Sequence, residues 1–279
     1  MSIEGIIQVA GHPSRSFGGL RDYSQEVLAL ALRWWIETRR DRLNLVFSVI
    51  QPAVWMAFFG IGVGRTVDEA VIGTSDYIGF MLPGIIAFTI VGNGVSGAMP
   101  LMWDKETGYL DKLMSMPIAR SSVIVSRFVF QLGLNSTQVL IMLVVATLLG
   151  VRVETGVAGV LVILVAGGLL TMAFTAAFSA LCYRVANHGT FFAVTGFITL
   201  PLLFVSSAFV PLHAMPGWMN VAARLNPVTY AIEAVRAIVL TGWEPAIAAN
   251  LAILSVFAAI CLGFGTNEFR RLTGNRVGG

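Results

Sequence analysis

Residues 155–183 read TGVAGVLVILVAGGLLTMAFTAAFSALCY, 29 positions without one Asp, Glu, Lys or Arg. A hydrocarbon core about 30 Å thick takes roughly 20 helical residues at 1.5 Å each. This stretch therefore crosses a bilayer once and is too short to cross, turn and return. Five further windows, at 43–64, 77–103, 128–151, 185–223 and 245–267, are equally free of charge. The chain is predicted to be an all-α integral membrane protein with six transmembrane helices. Its spans fall at about 43–63, 77–99, 123–149, 157–181, 191–209 and 246–265, within a membrane domain covering 43–266.

Only 12% of the residues are charged and 56% are hydrophobic, whereas soluble domains carry about 25% charge. The charges that exist are sorted by topology. Residues 1–42 hold Arg15, Arg21, Arg33, Arg39, Arg40 and Arg42. The segment between spans two and three adds Lys105, Lys112, Arg120 and Arg127. Arg184 follows span four, and Arg270, Arg271 and Arg276 follow span six. These alternate segments hold 14 of the 18 basic residues, against Arg65, Arg152, Arg224 and Arg236 in the opposite ones. The excess places both termini in the cytoplasm. No basic cluster is interleaved with stacking aromatics, which argues against nucleic-acid binding.

Two lysines in the whole chain limit its chemistry. A phosphate-cradling loop needs a lysine directly after glycine, and Lys105 follows Asp104 while Lys112 follows Asp111. If ATP drives this protein, another chain hydrolyses it. Cys182 and Cys261 have no C-x-x-C spacing and read as free apolar thiols. His12, His188 and His213 lie in three different segments, so no metal site is expected.

Residues 1–20 read as a mobile tail without the pattern of a cleavable signal, and 267–279 as a cytoplasmic tail. Residues 21–42 are amphipathic. Val27, Leu30, Ala31, Trp34 and Thr38 share one side, and Glu26, Arg33, Glu37 and Arg40 the other. This is the pattern of a helix lying in the interface with Trp34 and Trp35 at headgroup level. In span one, Gln51-Pro52 predicts a kink packed against protein, because the glutamine can satisfy a carbonyl that proline frees. In span three, the run Asn135-Ser136-Thr137-Gln138 covers a full turn, so some of it must face protein. Span four is rich in glycine and alanine, which suits close packing.

Two connecting segments are too patterned to be mere loops. The first is cytoplasmic, 103–117. Trp103, Leu110, Met114 and Pro117 line one side; Asp104, Gly108, Asp111, Lys112 and Ser115 line the other. Its periodicity fits equally a helix floating at the interface and one that docks a soluble partner. The second is external, 211–244. It is too apolar for a free loop and too polar for a span, so it is predicted to be a re-entrant hairpin. Within it, Glu233 and Arg236 stand at i,i+3 on one helix face, the spacing of a structural ion pair bracing the hairpin.

Four stretches together resemble the permease subunit of type 2 ATP-binding-cassette exporters. They are Arg40-Asp41 with Phe47, Gln51-Pro52 and Trp55; Glu106-Thr107-Gly108-Tyr109-Leu110-Asp111 ending in Met116-Pro117-Ile118; Phe209-Val210-Pro211 with Pro216-Gly217-Trp218; and Asn226-Pro227 followed by Arg236. Their order and spacing cover nearly the whole chain. Tyr109 departs from the pattern, which often has a small hydroxyl residue there. The antibiotic-resistance (daunorubicin-type) branch is the nearest in flavour, and polysaccharide and lipid exporters share the architecture.

The resemblance implies an ATP-driven exporter in a prokaryotic cytoplasmic membrane, with an amphipathic drug, lipid or glycolipid as cargo. Two permease copies, identical or related, would sit above two ATPase subunits that carry the ATP and magnesium; this chain would bind no cofactor and have no catalytic residue. Coupling would run through Asp104, Glu106, Thr107, Gly108, Asp111, Lys112 and Pro117, on a cytoplasmic coupling helix. The external re-entrant segment would include Asn226, Pro227, Glu233 and Arg236. A path lined by spans two and five would include Phe88, Asn93, Phe197, Leu200, Phe204 and Ser207, although ordinary helix packing accounts for any one of these taken singly. Two rivals remain. An ion-gradient carrier usually places an ionisable group at the midplane, and the six windows hold no carboxylate. A membrane enzyme needs clustered nucleophiles or ligands, and none are clustered here.

Overall fold

Asp76 starts the helix around which the rest of the molecule packs. Its carboxylate accepts from the Gly79 amide at 2.8 Å, one of the first-turn donors that helix geometry leaves open. The computed structural model describes residues 20–40, 42–63, 72, 74–108, 112 and 120–275. The expected mobile tail lies outside them except for Leu20. Among the described residues all regular structure is helical.

In chain order the helices are α1 (Leu20–Arg40), α2 (Arg42–Ala57, continued by a π-turn at Phe58–Val63), α3 (Tyr77–Glu106), α4 (Arg120–Leu148), α5 (Gly156–Arg184), α6 (His188–Phe204), α7 (Gly217–Leu225), α8 (Pro227–Arg236, continued by a π-turn at Ala237–Thr241) and α9 (Pro245–Asn275). Four stretches are long and apolar enough to cross a membrane: Tyr77–Glu106, Val125–Leu148, Gly156–Arg184 and Pro245–Glu268. The windows expected to be spans one and five carry shorter apolar helices, Val46–Gly60 and His188–Phe204. Proline explains part of the shortening, since α6 holds Pro201 and ends one turn later. α9 runs on through the residues expected to form a tail.

In the crossing stretch of α3, 67% of residues are buried, against 17% in that of α9. The first is therefore the axis of the bundle and the second its outer wall. Residues Gly79 to Ala87 of α3 are all buried, and α3 as a whole packs against α2, α4, α5, α6 and α8. α5 packs against both α3 and α9, and Ala166, Gly167, Gly168, Ala173, Ala176 and Ala180 supply the small surface for it.

The polar run in α4 resolves as its spacing demands. Asn135 and Gln138 are buried, while Thr137 faces outward and returns its hydroxyl to the Gly133 carbonyl at 2.8 Å. Trp34 corrects the expectation for α1. It is 6% exposed, and the guanidinium groups of Arg33 and Arg127 lie 4.8 and 4.5 Å from its ring. Two cations at its ring hold it inside the protein, whereas Trp35, in an edge-type contact with Phe130, is exposed.

Candidate functional site

A cavity of about 570 Å³ opens between α2, α3 and α6. α2 and its π-turn contribute Phe47, Ser48, Gln51, Pro52, Trp55 and Phe59; α3 contributes a strip from Gly84 through Phe88, Thr89 and Asn93 to Ser96. α6 adds Leu200 and Phe204, and Phe209 closes the end. The rings form a continuous wall. Trp55 stacks on Phe59 at 5.5 Å, Phe59 lies 5.8 Å from Phe209, and Phe209 stacks on Phe204 at 5.4 Å. Among the described residues no ionisable side chain lines the cavity, and its polarity comes from amides and hydroxyls. Such a surface suits a largely apolar guest that carries a few hydrogen-bonding groups. It opens on the side where Phe47, Leu200 and Phe204 are exposed.

Asn93 is set by a polar cluster behind the wall. Its Nδ2 donates to Asn135 Oδ1 at 2.6 Å and to Gln138 Oε1. Its carbonyl accepts from Gln131 Nε2 at 3.2 Å. Asn135 Nδ2 in turn donates to Thr171 Oγ1 at 2.9 Å. Three helices are tied through one cavity residue, in surroundings where an unmade hydrogen bond is costly.

Four of the six expected path residues, Phe88, Asn93, Leu200 and Phe204, line this cavity. Phe197 is 81% exposed on the outer side of α6, and Ser207 is fully buried behind the wall. What the sequence reading missed is the whole α2 contribution. Gln51 beside Pro52, a polar kink in an apolar window, carries a signal for it in the sequence.

At the Asp76 end, Asn226 caps α8 by accepting from the Val228 amide at 3.0 Å, and it donates to the Leu202 carbonyl of α6. Pro227 occupies the first turn, where no amide is needed. Arg236 Nη1 pairs with Glu233 Oε1 at 2.6 Å, and Nη2 donates to the carbonyls of Ser207 at 2.6 Å and Phe80 at 3.4 Å. Its guanidinium carbon lies 4.0 Å from the centre of the Phe80 ring. One side chain thus joins α8, the start of α3 and the chain just beyond α6. Gly84 lets those last two meet, since a Cβ there would stand 3.0 Å from Ala208 Cβ and from its carbonyl oxygen.

The opposite end holds those expected coupling residues that are described, and Asp104, Glu106 and Thr107 are engaged within the chain. Asp104 is buried and lies 3.6 Å from Arg33 of α1. Glu106 Oε1 is 2.8 Å from His188 Nδ1. Thr107 ends α3, with its hydroxyl donating to the Trp103 carbonyl at 2.7 Å. Gly108 follows with φ +70°, the left-handed conformation that closes a helix. Residues 103–108 are therefore the end of α3, so the helix that carries Trp103 stops at Glu106 rather than continuing towards Pro117. The Lys112 amide donates back to the Gly108 carbonyl at 3.2 Å; Asp111 and Pro117 lie outside the described residues.

The sequence profile of the family described as ABC-2 type transporter matches residues 25–240. The putative transport permease ycf38 of Porphyra purpurea is 33% identical over 218 residues, 76% of this chain and 73% of that one. The probable doxorubicin resistance ABC transporter permease protein DrrC of Mycobacterium tuberculosis is 26% identical over 237 residues, covering 84% and 81%. The daunorubicin resistance ABC transporter permease protein DrrB1 of Streptomyces coeruleorubidus is 26% identical over 198 residues, covering 70% and 68%.

Proposed function

Because this chain belongs to the ABC-2 type transporter family, we propose that it is the permease of an exporter driven by separate ATPase subunits, moving an amphipathic drug, lipid or glycolipid outward across the cytoplasmic membrane. Six crossings, by α2 to α6 and α9, put the Glu106 end in the cytoplasm and the Arg236 end outside. Two copies pair, and two ATPases dock beneath them.

The observation that carries the reading is the cavity. Its aromatic wall accommodates an apolar body, and Ser48, Gln51, Asn93 and Ser96 offer hydrogen bonds to a polar part. A gradient-driven carrier receives no support from a cavity without a carboxylate to take a proton.

The test is efflux from proteoliposomes that contain permease and ATPase, with doxorubicin and a fluorescent phospholipid as probes. ATP should drive probe movement, and an imposed ion gradient alone should not. Trp55→Ala and Asn93→Leu should each lower the rate several-fold while basal hydrolysis stays near normal. Movement that follows the gradient without ATP would reject the reading.

A further inference from the structure

α1 carries more apolar surface than the described residues cover. Val27, Ala31 and Trp34 are buried, and Arg127 of α4 holds Trp34 from across the contact. Leu28, Leu32 and Trp35 share the neighbouring face, at helical spacings of four and three residues, and they are exposed. Beside them α4 presents Val129, Gly133 and Thr137, about one turn apart and exposed as well. An open groove of about 430 Å³ runs between the two rows. Gly133 leaves a gap in its α4 wall, since among the described residues nothing stands within 4 Å of a Cβ placed there.

Depth and charge say what fits it. The crossing stretch of α4 is Val125–Leu148, so the groove starts one turn inside that stretch and ends at Thr137, halfway along it. From Val129 to Thr137 it follows the helix for about 12 Å at about 1.5 Å per residue. One leaflet of a hydrocarbon core about 30 Å thick is about 15 Å deep, the depth that a single acyl chain fills. The exposed stripe of α1 continues from Trp35 to Arg39, one turn on. Arg39 and Arg40 close α1 and Arg42 opens α2, and all three are exposed. An apolar slot with cations beyond one end matches a lipid tail with an anionic headgroup. A zwitterionic lipid would bring its own cation to the same arginines, so charge separates the two headgroups.

We propose that the groove between α1 and α4 binds one acyl chain of an anionic phospholipid, with its phosphate held by the arginines where α1 meets α2. The lipid comes from the leaflet at the Glu106 end, the cytoplasmic one in the orientation proposed above. Arginine forks suit phosphate oxygens, and Trp35 stands in the stripe between tail and headgroup, where indoles favour the interface. No residue lining the groove lines the cavity between α2, α3 and α6, so this lipid is a resident and not a cargo.

The test counts lipid on the purified full chain by native mass spectrometry, during titration with phosphatidylglycerol or phosphatidylcholine of the same acyl chains. The parent should bind one phosphatidylglycerol about tenfold more tightly than phosphatidylcholine. Gly133→Leu and Thr137→Phe fill the groove from exposed positions, and each should weaken phosphatidylglycerol binding about tenfold. Leu140→Phe, at an exposed position on α4 outside the groove, should change nothing. Arg39→Glu with Arg40→Glu should abolish the preference between headgroups. Thermal unfolding without added lipid checks that each variant is folded. Equal affinity of the parent for both headgroups, unweakened binding in the filled variants, or an equal loss in Leu140→Phe would mean annular lipid only and overturn the proposal. Filled variants that keep the lipid but turn a dimer into a monomer would give the groove to a second copy instead. These measurements need neither ATP nor ATPase, so their failure leaves the permease reading intact.

Discussion

Arg236 shows how much one side chain decides in a chain with so few charges. Its fork meets Glu233, two backbone carbonyls and a phenyl face, a geometry that a lysine ammonium cannot reproduce. Arg236 is 11% exposed and Glu233 31%, so Arg236→Ala strands two carbonyls and leaves the carboxylate partly solvated, at a cost of about 1–3 kcal/mol. The unfolding temperature of the purified protein should fall accordingly, and Arg236→Lys should recover only part of it. Adding Glu233→Ala to Arg236→Ala should recover little more. A double variant as stable as the parent would show that the ion pair outweighs the carbonyl contacts. Asn93 works in the opposite way, by organising neutral groups. Asn93→Ala leaves Asn135 Oδ1 and Gln138 Oε1 without that donor, and a stranded buried acceptor costs about 1–3 kcal/mol. Thermal unfolding followed by circular dichroism should report a loss of that size.

At the scale of elements, two glycines set where helices end and meet. Gly108 takes a left-handed conformation, and among the described residues nothing stands within 4 Å of a Cβ placed there, so backbone strain is the cost a substitution meets. Asparagine tolerates this region better than other residues, alanine meets a penalty of roughly 1–2 kcal/mol, and proline cannot adopt it. Cargo-stimulated ATPase activity of the complex should fall in the order Gly108→Asn, Gly108→Ala, Gly108→Pro. A proline variant with normal stimulation would leave the 103–117 segment a passive connector. Gly84 meets sterics instead: a larger side chain drives Ala208 outward, and overpacking typically costs about 1–3 kcal/mol. Gly84→Val should both destabilise the protein and slow probe efflux, because the displaced chain continues from the cavity wall. The helices themselves were legible in sequence from their apolar windows. Their partners were not: apolar periodicity says that a face is covered, and not by what. The amphipathic pattern of residues 21–42 puts Trp34 at headgroup level, and only the fold brings Arg33 and Arg127 to its ring.

For the whole molecule, charge sorting and the missing glycine-lysine loop make separate predictions. Trp243→Cys, at an exposed position just before α9, should react with an impermeant thiol reagent from outside intact cells, and Asn275→Cys should not. The reverse pattern would invert the topology and overturn the charge argument. The purified chain should also show no magnesium-dependent ATP hydrolysis above background, since no glycine-lysine loop is present to cradle the phosphates. Turnover by a rigorously pure sample would show that another phosphate site had been missed.

By itself the sequence determined that this chain is helical and membrane-embedded, and it indicated on which side its cations gather. Those properties follow from local composition, because lipid excludes charge and forces each backbone segment to satisfy its own hydrogen bonds. The ordered motifs also identified the family, and four of the six proposed path residues were placed at the cavity. The tertiary structure decided which polar groups meet: Glu106 with His188, Lys105 with the end of α5, Asn93 with Asn135 and Gln138. It also brought the α2 face to the cavity and turned Phe197 away from it. These pairings join residues far apart in the chain. They depend on helix rotation and axial register, which many arrangements of the same apolar stripes would allow and which close packing and directional hydrogen bonds together select.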